Sequence, residues 1–177
     1  MRRASFFEQT GPTMNELQPP PISMLDKHHG MEFVPLYTGT VRASGGEARH
    51  GRASGVARSD DGALDVQLRM PKEWGGPGGG TNPEQLFAAG FASCFHGALS
   101  LLAARAKVPI PDADVMASVT FGRDPVDGYF TLRAEIHVSL PGVDRAIAGE
   151  LLRNTERICP YAKMAKAGIE CVITLDT

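Results

Sequence analysis

The sequence lacks an excess of charge of either sign and lacks a secretion signal. Lysine and arginine number 18 against 20 aspartate and glutamate residues, so no basic stripe is available for nucleic acid and we exclude that partner class. Residues 1–20 contain no apolar run of the roughly seven residues that a signal peptide needs. The long apolar run from Leu86 to Ala104 is flanked by charges and falls short of the roughly 20 residues of a membrane span. We expect a cytoplasmic protein that binds neither nucleic acid nor membranes.

The sequence also lacks the motifs of common metal and cofactor sites. Its five histidines are scattered and show no metal-ligand spacing. The glycine-rich stretch 71–80 has neither the terminal Gly-Lys-Ser/Thr of a phosphate-binding loop nor the spacing of a dinucleotide fingerprint. We expect no metal and no bound cofactor, and we interpret this stretch as a flexible connector or lid.

The length favours one domain behind an N-terminal extension. A chain of 177 residues is long enough for one core but short for two. Residues 1–30 are polar and proline-rich over much of their length, and such a segment buries too little apolar surface to order itself. We predict a disordered or loosely attached extension over residues 1–30 and a folded domain over residues 31–177.

The first part of this domain has the pattern of an antiparallel sheet. Strand formers fill Phe33–Ala43, a turn is marked by Gly45-Gly46, and a second strand is predicted over Gly55–Arg58. Asp60-Asp61-Gly62 predicts a hairpin turn, and apolar residues alternate with polar ones from Leu64 to Leu68. These segments predict a sheet of two or three strands.

Later segments add strands and an amphipathic helix. Strands are predicted over Val115–Gly122 and Tyr129–Leu140, the second with one covered and one wet face. Apolar residues recur at helical spacing from Ile147 to Ile158, and alternation from Ile169 to Leu175 predicts a last strand. Because the strands pair locally, we predict an α+β fold rather than a doubly wound parallel sheet.

A central helix is predicted from Pro83 to Lys107. Asn82 is placed to cap it, Pro83 suits the first helical position, and Gln85 completes an Asn-x-x-Gln capping box. From Leu86 to Ala104 apolar residues point all round the axis, and such a helix must be enclosed by protein. One small chain does not enclose it, so we predict an intertwined homodimer with two such helices packed at its centre.

The three cysteines fall in different environments. Cys94 is expected inside the central helix, where a reactive thiolate needs a cation from elsewhere, since His96 points to another side. Cys159 precedes Pro160 at the end of the second helix, a joint that can move. Cys171 alternates with apolar residues and is predicted to be a core residue without a role. The residues alone do not choose the cation among four arginines: Arg42, Arg49, Arg52 and Arg58.

Five stretches carry a resemblance to a known family: Leu36-Tyr37-Thr38, Gly62 to Leu68, Gly79 to Cys94, Leu140-Pro141-Gly142 and Cys159-Pro160-Tyr161. Over roughly Phe33 to Leu175 the chain resembles the organic hydroperoxide resistance proteins of the OsmC-like superfamily. The Cys-Pro-Tyr sequence favours that branch over the OsmC branch proper. The resemblance implies an OsmC-like fold and a thiol peroxidase.

The resemblance also implies catalytic roles. Cys94 matches the family's peroxidatic cysteine, Cys159 its resolving cysteine, and Glu84 the glutamate of its Asn-Pro-Glu motif. The family's arginine lies in a Gly-Gly-Arg-x-Gly segment, from which this chain departs by two extra residues. Alignment on the Arg-x-Gly-Arg spacing selects Arg49, with Arg52 as the fallback.

The implied reaction reduces an organic hydroperoxide to an alcohol through a Cys94 sulfenic acid and a Cys94–Cys159 disulfide. The family's reductant is a dihydrolipoyl group carried on another protein. Apolar side chains are expected to bind the substrate and to favour bulky or fatty-acid hydroperoxides over hydrogen peroxide. These side chains are Phe87, Phe91, Phe95 and Trp74.

Glu84 and Cys94 are ten residues apart on one helix, about 15 Å at 1.5 Å per residue. Either a long arginine bridges them or the relevant Glu84 belongs to the partner subunit, and we predict a site at the dimer interface. One alternative is a redox sensor or ligand-binding member of the same fold with slow turnover. A cysteine hydrolase is disfavoured because no histidine is placed to serve as a base for Cys94.

Overall fold

The computed structural model describes residues 25–47 and 53–175, and it divides the chain into one unit that ends at Thr38 and one that begins at Gly39. Residues 25–38 contain bends and a turn but no helix or strand. The strand predicted from Phe33 is therefore wrong before Val41. Pro35 contributes no N–H to a ladder there, and residues 33–38 form no part of a sheet in the described chain. Residues 1–24 lie outside the description, so the extension stays a prediction.

The second unit opens with a three-stranded antiparallel sheet. Its strands are β1 (Val41–Ser44), β2 (Val56–Ser59) and β3 (Asp65–Gln67), hydrogen-bonded in the order β1-β2-β3. The predicted turn joins β2 to β3: Gly62 adopts a φ of 75° and donates its N–H to the Ser59 carbonyl. Glycine suits this left-handed position because it has no Cβ to clash. The predicted N-terminal sheet is confirmed.

The glycine-rich stretch forms a loop whose two ends are bonded to each other. Leu68 and Thr81 form a parallel bridge, in which the Arg69 N–H donates to the Thr81 carbonyl at 2.7 Å and the Thr81 N–H donates to the Gln67 carbonyl at 2.9 Å. Between them the chain makes one 3-10 turn, Lys72–Trp74. The start of the central helix is thereby attached to the first sheet.

The central helix, α1, spans Pro83–Ala106. The Asn82 carboxamide oxygen accepts the Gln85 N–H at 2.9 Å, which confirms the predicted cap. The capping box is one-sided, because the Gln85 side chain accepts the Thr81 hydroxyl at 3.0 Å. The helix ends at Lys107, whose φ of 57° is left-handed.

The described part of the chain encloses α1 only in part. Its buried residues form one stripe at four-residue spacing, Phe91, Phe95, Leu99 and Ala103. The opposite face carries small or polar residues that are exposed: Ala89, Ser93, His96, Gly97 and Ala104. Against our expectation from its flanking charges, α1 is long and apolar enough to cross a membrane, a test that the core helix of a soluble protein also passes.

A long hairpin packs against α1. Strands β4 (Asp114–Arg123) and β5 (Phe130–Ser139) pair antiparallel from Asp114↔Ser139 to Arg123↔Phe130, close to the predicted bounds. Far from the turn its inner face covers α1 through four residues, Val115, Ala117, Ile136 and Val138. Near the turn the same face remains open, and Phe130 is 51% exposed. The prediction of a covered face therefore holds for one end of the hairpin.

Two helices follow where one was predicted. Helix α2 (Arg145–Ile158) starts at Asp144, whose carboxylate accepts the N–H groups of Ala146 and Ile147, and it packs on α1 through Leu151. Helix α3 (Pro160–Ala167) was missed. Pro160 disfavours helical geometry in Cys159, yet a proline also suits the first position of a new helix.

The C-terminal segment corrects two predictions. Residues 168–175 form no strand, and Ile173 is 92% exposed. Cys171 is exposed, so its assignment to the core is wrong. Alternation predicts which side of a strand faces the core only where a neighbouring strand pairs with it, and the described residues offer this segment none. The helices and antiparallel sheets together confirm the α+β class.

Candidate functional site

Two of the three cysteines meet. Cys94 lies midway along α1, Cys159 links α2 to α3, and the Cys159 thiol donates to the Cys94 sulfur at 3.6 Å across 65 positions of sequence. Cys159 is completely buried, whereas Cys94 is partly exposed. We call this pair the thiol junction. A reagent from solvent therefore reaches the Cys94 sulfur before it reaches the Cys159 sulfur.

The thiol junction is built by the local structure of α2 and α3. Cys159 is at once the C-terminal cap of α2 and the N-terminal cap of α3, and its N–H donates to the Thr155 carbonyl at 2.9 Å. The Thr155 hydroxyl, also buried, donates to the Leu151 carbonyl. The junction packs in one apolar cluster with Phe91, Phe95 and Ala162. Its geometry is therefore fixed by the core.

Burial raises the pKa of the Cys94 thiol above its ordinary value, and the neighbouring Cys159 adds to the rise. A hydrogen bond from the Tyr161 main-chain N–H opposes this rise but does not overcome it. Among residues 25–47 and 53–175, no cationic side chain is among the causes of this shift in the Cys94 pKa. The two predicted activators, Arg49 and Arg52, lie outside the described residues, so their assignment stays a prediction.

The other sequence candidates for a base or cation lie elsewhere. Arg58 pairs with Asp65 at 3.1 Å on the surface of the first sheet, and Arg42 is exposed on β1. His96 is exposed on α1, whereas Cys94 packs against the buried cluster, so the two side chains point apart as expected. In the part of the chain that the structure describes, no group of three or more His, Cys, Asp or Glu residues is arranged to hold a metal ion.

Ser54 ties together the chain on either side of residues 48–52, and sequence reasoning missed it. Its hydroxyl accepts the Glu47 N–H at 3.0 Å and lies 3.4 Å from the Glu47 carbonyl, to which it donates. Gly46, beside it, has a φ of 102°, and a Cβ there would meet the Ser54 hydroxyl. The described residues on either side of 48–52 are thus hydrogen-bonded to each other through a hydroxyl that no sequence motif marks.

The three predicted substrate-binding phenylalanines lie together. Phe87, Phe91 and Phe95, which we call the phenylalanine wall, line one groove with a volume of about 740 Å³. The opposite side of the groove includes Leu132 and Ile136 of β5. Neither cysteine of the thiol junction lines this groove among the described residues. The wall nevertheless adjoins Cys94 within the same apolar cluster.

Trp74 does not join the phenylalanine wall. Its ring packs edge-on against Phe121 at 5.3 Å between centroids, and it lines a separate cavity of about 290 Å³ together with Glu84. Glu84 is half-buried in the first turn of α1, and the unbroken helix keeps it about 15 Å along the axis from Cys94. The predicted site residues therefore form two groups, one around the thiols and one around Glu84.

Sequence reasoning also missed Tyr161, whose side chain packs on the phenylalanine wall. Its ring centroid lies 6.1 Å from that of Phe87 and 5.9 Å from that of Phe91. The signal that could have found it is Pro160, read as the first residue of a new helix that returns toward Cys94.

Comparison with known proteins places this geometry in context. The family model described as OsmC-like protein matches residues 76–174. An organic hydroperoxide resistance protein of Xanthomonas axonopodis pv. citri is 42% identical over 142 residues, which are 79% of this chain and 94% of that protein. The organic hydroperoxide resistance protein OhrB of Bacillus subtilis is 37% identical over 142 residues, 80% of this chain and 99% of that protein. Its crystal structure superposes with a TM-score of 0.65, at 38% identity, and covers 75% of this chain and 93% of that one.

Proposed function

The chain belongs to the OsmC-like family, in the branch of organic hydroperoxide resistance proteins, and we propose that it is a cysteine-based thiol peroxidase that reduces organic hydroperoxides to alcohols. Its role in the cell is then the detoxification of organic peroxides. The observation that carries the proposal is the 3.6 Å contact between Cys94 and Cys159, two thiols on separate elements. Two thiols so placed pass through a sulfenic acid to a disulfide and back.

In the first step the Cys94 thiolate attacks the distal oxygen of the hydroperoxide. A sulfur–oxygen bond forms as the oxygen–oxygen bond breaks, and the leaving alkoxide takes up a proton to become the alcohol. Cys94 is the attacking residue because it is partly exposed, whereas Cys159 is completely buried. The sulfur is oxidised to a sulfenic acid and the peroxide is reduced.

The thiolate requires a cation, since burial raises the pKa of Cys94. We assign this role to Arg49, with Arg52 as the fallback, and we assign to Glu84 the holding of that arginine. Because Glu84 lies about 15 Å along α1 from Cys94, either the arginine spans the gap or the partner subunit supplies its own Glu84.

In the second step the Cys159 sulfur attacks the sulfenic sulfur of Cys94. The disulfide forms, the sulfur–oxygen bond breaks, and the hydroxide leaves as water after taking up a proton. This closure protects Cys94 from overoxidation. A dihydrolipoyl group carried on another protein supplies the two electrons that reopen the disulfide, so no bound cofactor is needed.

The preferred substrates are alkyl, aryl or fatty-acid hydroperoxides. The phenylalanine wall adjoins Cys94 and lines a groove of about 740 Å³, large enough for an apolar chain. Trp74 lines the second cavity together with Glu84. It contributes to hydroperoxide binding only if the residues around Glu84 and the residues around the thiol junction come together in one site.

The working form is a cytoplasmic homodimer with the site at its interface. The open end of the β4–β5 hairpin and residues 168–175 leave large apolar side chains uncovered in one chain, and the exposed face of α1 adds small and polar residues beside them. Surface of this extent is typical of protein–protein contacts. In such a dimer, the α1 helix of the partner subunit would pack on the small residues of α1 and cover its exposed face.

A redox sensor or ligand-binding protein of the same fold is the second candidate. One observation favours it: the described groups around Cys94 hold its thiol pKa high, which slows attack on peroxide. The same disulfide would then form once per signal rather than in continuous turnover.

Turnover of cumene hydroperoxide with dihydrolipoamide decides between these candidates. We expect multiple turnovers by the wild-type protein, loss of activity to the uncatalysed level in Cys94→Ser, and unchanged activity in the matched control Cys171→Ser, whose thiol is exposed and far along the tail. Activity that survives in Cys94→Ser would rule out the mechanism. A single turnover by the wild-type protein would favour the sensor.

A further inference from the structure

Tyr161 links α3 to α1 next to the thiol junction. It occupies the second position of α3, two residues after Cys159. Its half-buried ring lies 6.1 Å from the Phe87 ring and 5.9 Å from the Phe91 ring, between centroids. These are the separations of interacting aromatic pairs. The ring is therefore held by α1, and with it the start of α3.

Gly90 provides the space for this contact. A Cβ added to Gly90 would lie 2.9 Å from the Tyr161 hydroxyl oxygen and 3.2 Å from Cζ of the ring. Real side chains do not approach so closely, so the ring rests on bare backbone. Gly90 is four residues before Cys94, one turn of the same helix. The ring thus sits beside the turn that presents the reactive sulfur.

The main chain of Tyr161 also reaches the thiol junction. Pro160 has no N–H, and no side chain caps the first turn of α3. The Tyr161 N–H faces the Cys94 sulfur, where it opposes the rise in the pKa of that thiol. Tyr161 therefore contacts Cys94 through its main chain and the phenylalanine wall through its ring.

We propose that Tyr161 is a positioning residue for disulfide closure: its ring, seated on Gly90 against Phe87 and Phe91, keeps Cys159 aligned with Cys94. Closure requires the Cys159 sulfur to approach the Cys94 sulfur opposite the departing hydroxide, and a small displacement of α3 spoils that line. The role in turnover rests on the proposed peroxidase function. The effect on closure rests on packing alone.

The test compares Tyr161→Ala with Tyr161→Phe in the full chain carrying Cys171→Ser. Closure is driven by diamide, which accepts the two electrons released by disulfide formation, and is followed by loss of free thiols. We expect Tyr161→Ala to close about 10- to 100-fold more slowly and Tyr161→Phe to close nearly as fast as the parent. With cumene hydroperoxide, Tyr161→Ala should also accumulate more Cys94 sulfinic acid, measured by mass spectrometry.

A second pair tests the contact when the ring is still present. Gly90→Ala should slow closure in the parent, because the added methyl meets the Tyr161 hydroxyl, and should slow it less in Tyr161→Phe, which lacks that hydroxyl. Equal slowing in both backgrounds, or parental closure and sulfinic acid content in Tyr161→Ala, would overturn the proposal. Normal closure by diamide with no reaction of Cys94 toward cumene hydroperoxide would instead remove the peroxidase function and leave the role of Tyr161 in closure intact.

Discussion

The thiol junction and the C-terminal segment each contain a cysteine beside apolar residues, yet they end in opposite environments. Cys159 is completely buried between two helices and touches Cys94. Cys171 is exposed in residues 168–175, which pair with no strand in the described chain. The difference teaches that an apolar sequence pattern predicts burial but does not predict which part of the protein, or which other chain, covers the residues. For Cys159 the partner is in the same chain.

The same contrast runs along α1. One stripe, which includes Phe91 and Leu99, is buried by the hairpin, α2 and α3, whereas the face that carries Ser93 and Gly97 is exposed. Regions completed within the chain can be analysed from its own contacts. Regions that stay exposed in one chain indicate contacts with another chain. We expect three measurements to distinguish the regions completed within the chain from those that need another chain.

The largest effect is expected from replacing each of the two compared cysteines, Cys159 and Cys171, by serine in separate variants. Cys159→Ser should release about one equivalent of alcohol per chain in a fast first phase, because the Cys94 sulfenic acid has no neighbouring thiol to condense with. Excess hydroperoxide then oxidises it slowly to sulfinic and sulfonic acids, and each of these two steps releases one further alcohol before the reaction ends. Cys171→Ser should turn over like the wild-type protein. Alcohol yield and the mass of the Cys94 peptide measure both. Equal loss in the two variants would erase the contrast between the cysteines.

A smaller effect is expected from the cation that completes the junction. Arg49→Met should move the pH dependence of Cys94 alkylation upward, since an adjacent positive charge favours the thiolate and burial favours the thiol. At neutral pH the alkylation rate should then fall about tenfold or more, because less of Cys94 is present as thiolate. The measurement is the rate of iodoacetamide reaction in a chain that also carries Cys159→Ser and Cys171→Ser.

Arg52→Met is the matched control for that measurement and should leave the profile in place. A shift in Arg52→Met alone would transfer the role to Arg52. No shift in either variant would contradict both assignments and place the cation outside residues 48–52.

The smallest effect is expected on the open face of α1. A Cβ added to Gly97 meets nothing within 4 Å in one chain, so a side chain there is tolerated by the monomer. In a dimer with helices packed at its centre, Gly97→Leu should overpack the contact and weaken association by about 1–3 kcal/mol. Light scattering during gel filtration over a dilution series measures it.

The control is Gly149→Leu in α2, where an added Cβ approaches only the end of the Arg153 side chain, at 3.4 Å. It should leave the oligomeric state unchanged. A wild-type protein that is monomeric, or a Gly97→Leu dimer as tight as the wild type, would refute the packed-helix dimer.

Local signals predicted the fold well where they are self-contained. Asn82 and Pro83 mark the start of α1 by capping chemistry, and Asp60-Asp61-Gly62 marks a turn by its left-handed glycine. Signals that depend on a neighbour failed: the alternation of Ile169 to Leu175 has no ladder partner in the described chain. Pro160 is compatible both with the end of α2 and with the start of α3, and only the end of α2 was predicted from it.

Of the candidate site, the contact between Cys94 and Cys159 was predicted, and the packing around it was not. The pairing of Cys94 with Cys159 came from the family resemblance, because 65 intervening positions leave no trace in spacing. Tyr161 and Ser54 were missed because they act through a main-chain N–H, ring packing and a hydroxyl bonded to backbone. Such roles depend on tertiary placement, which composition and periodicity do not encode.

The bridge between Leu68 and Thr81 has an evolutionary consequence. Because the ends of the glycine-rich loop are hydrogen-bonded to each other, the residues between them are a closed excursion from the fold. Lengthening or shortening such an excursion changes little in loop-closure entropy and does not move Thr81, Asn82 or the helix behind them. Trp74 lies within this loop, so a change in the loop's length or sequence leaves the start of α1, and with it Cys94, in place.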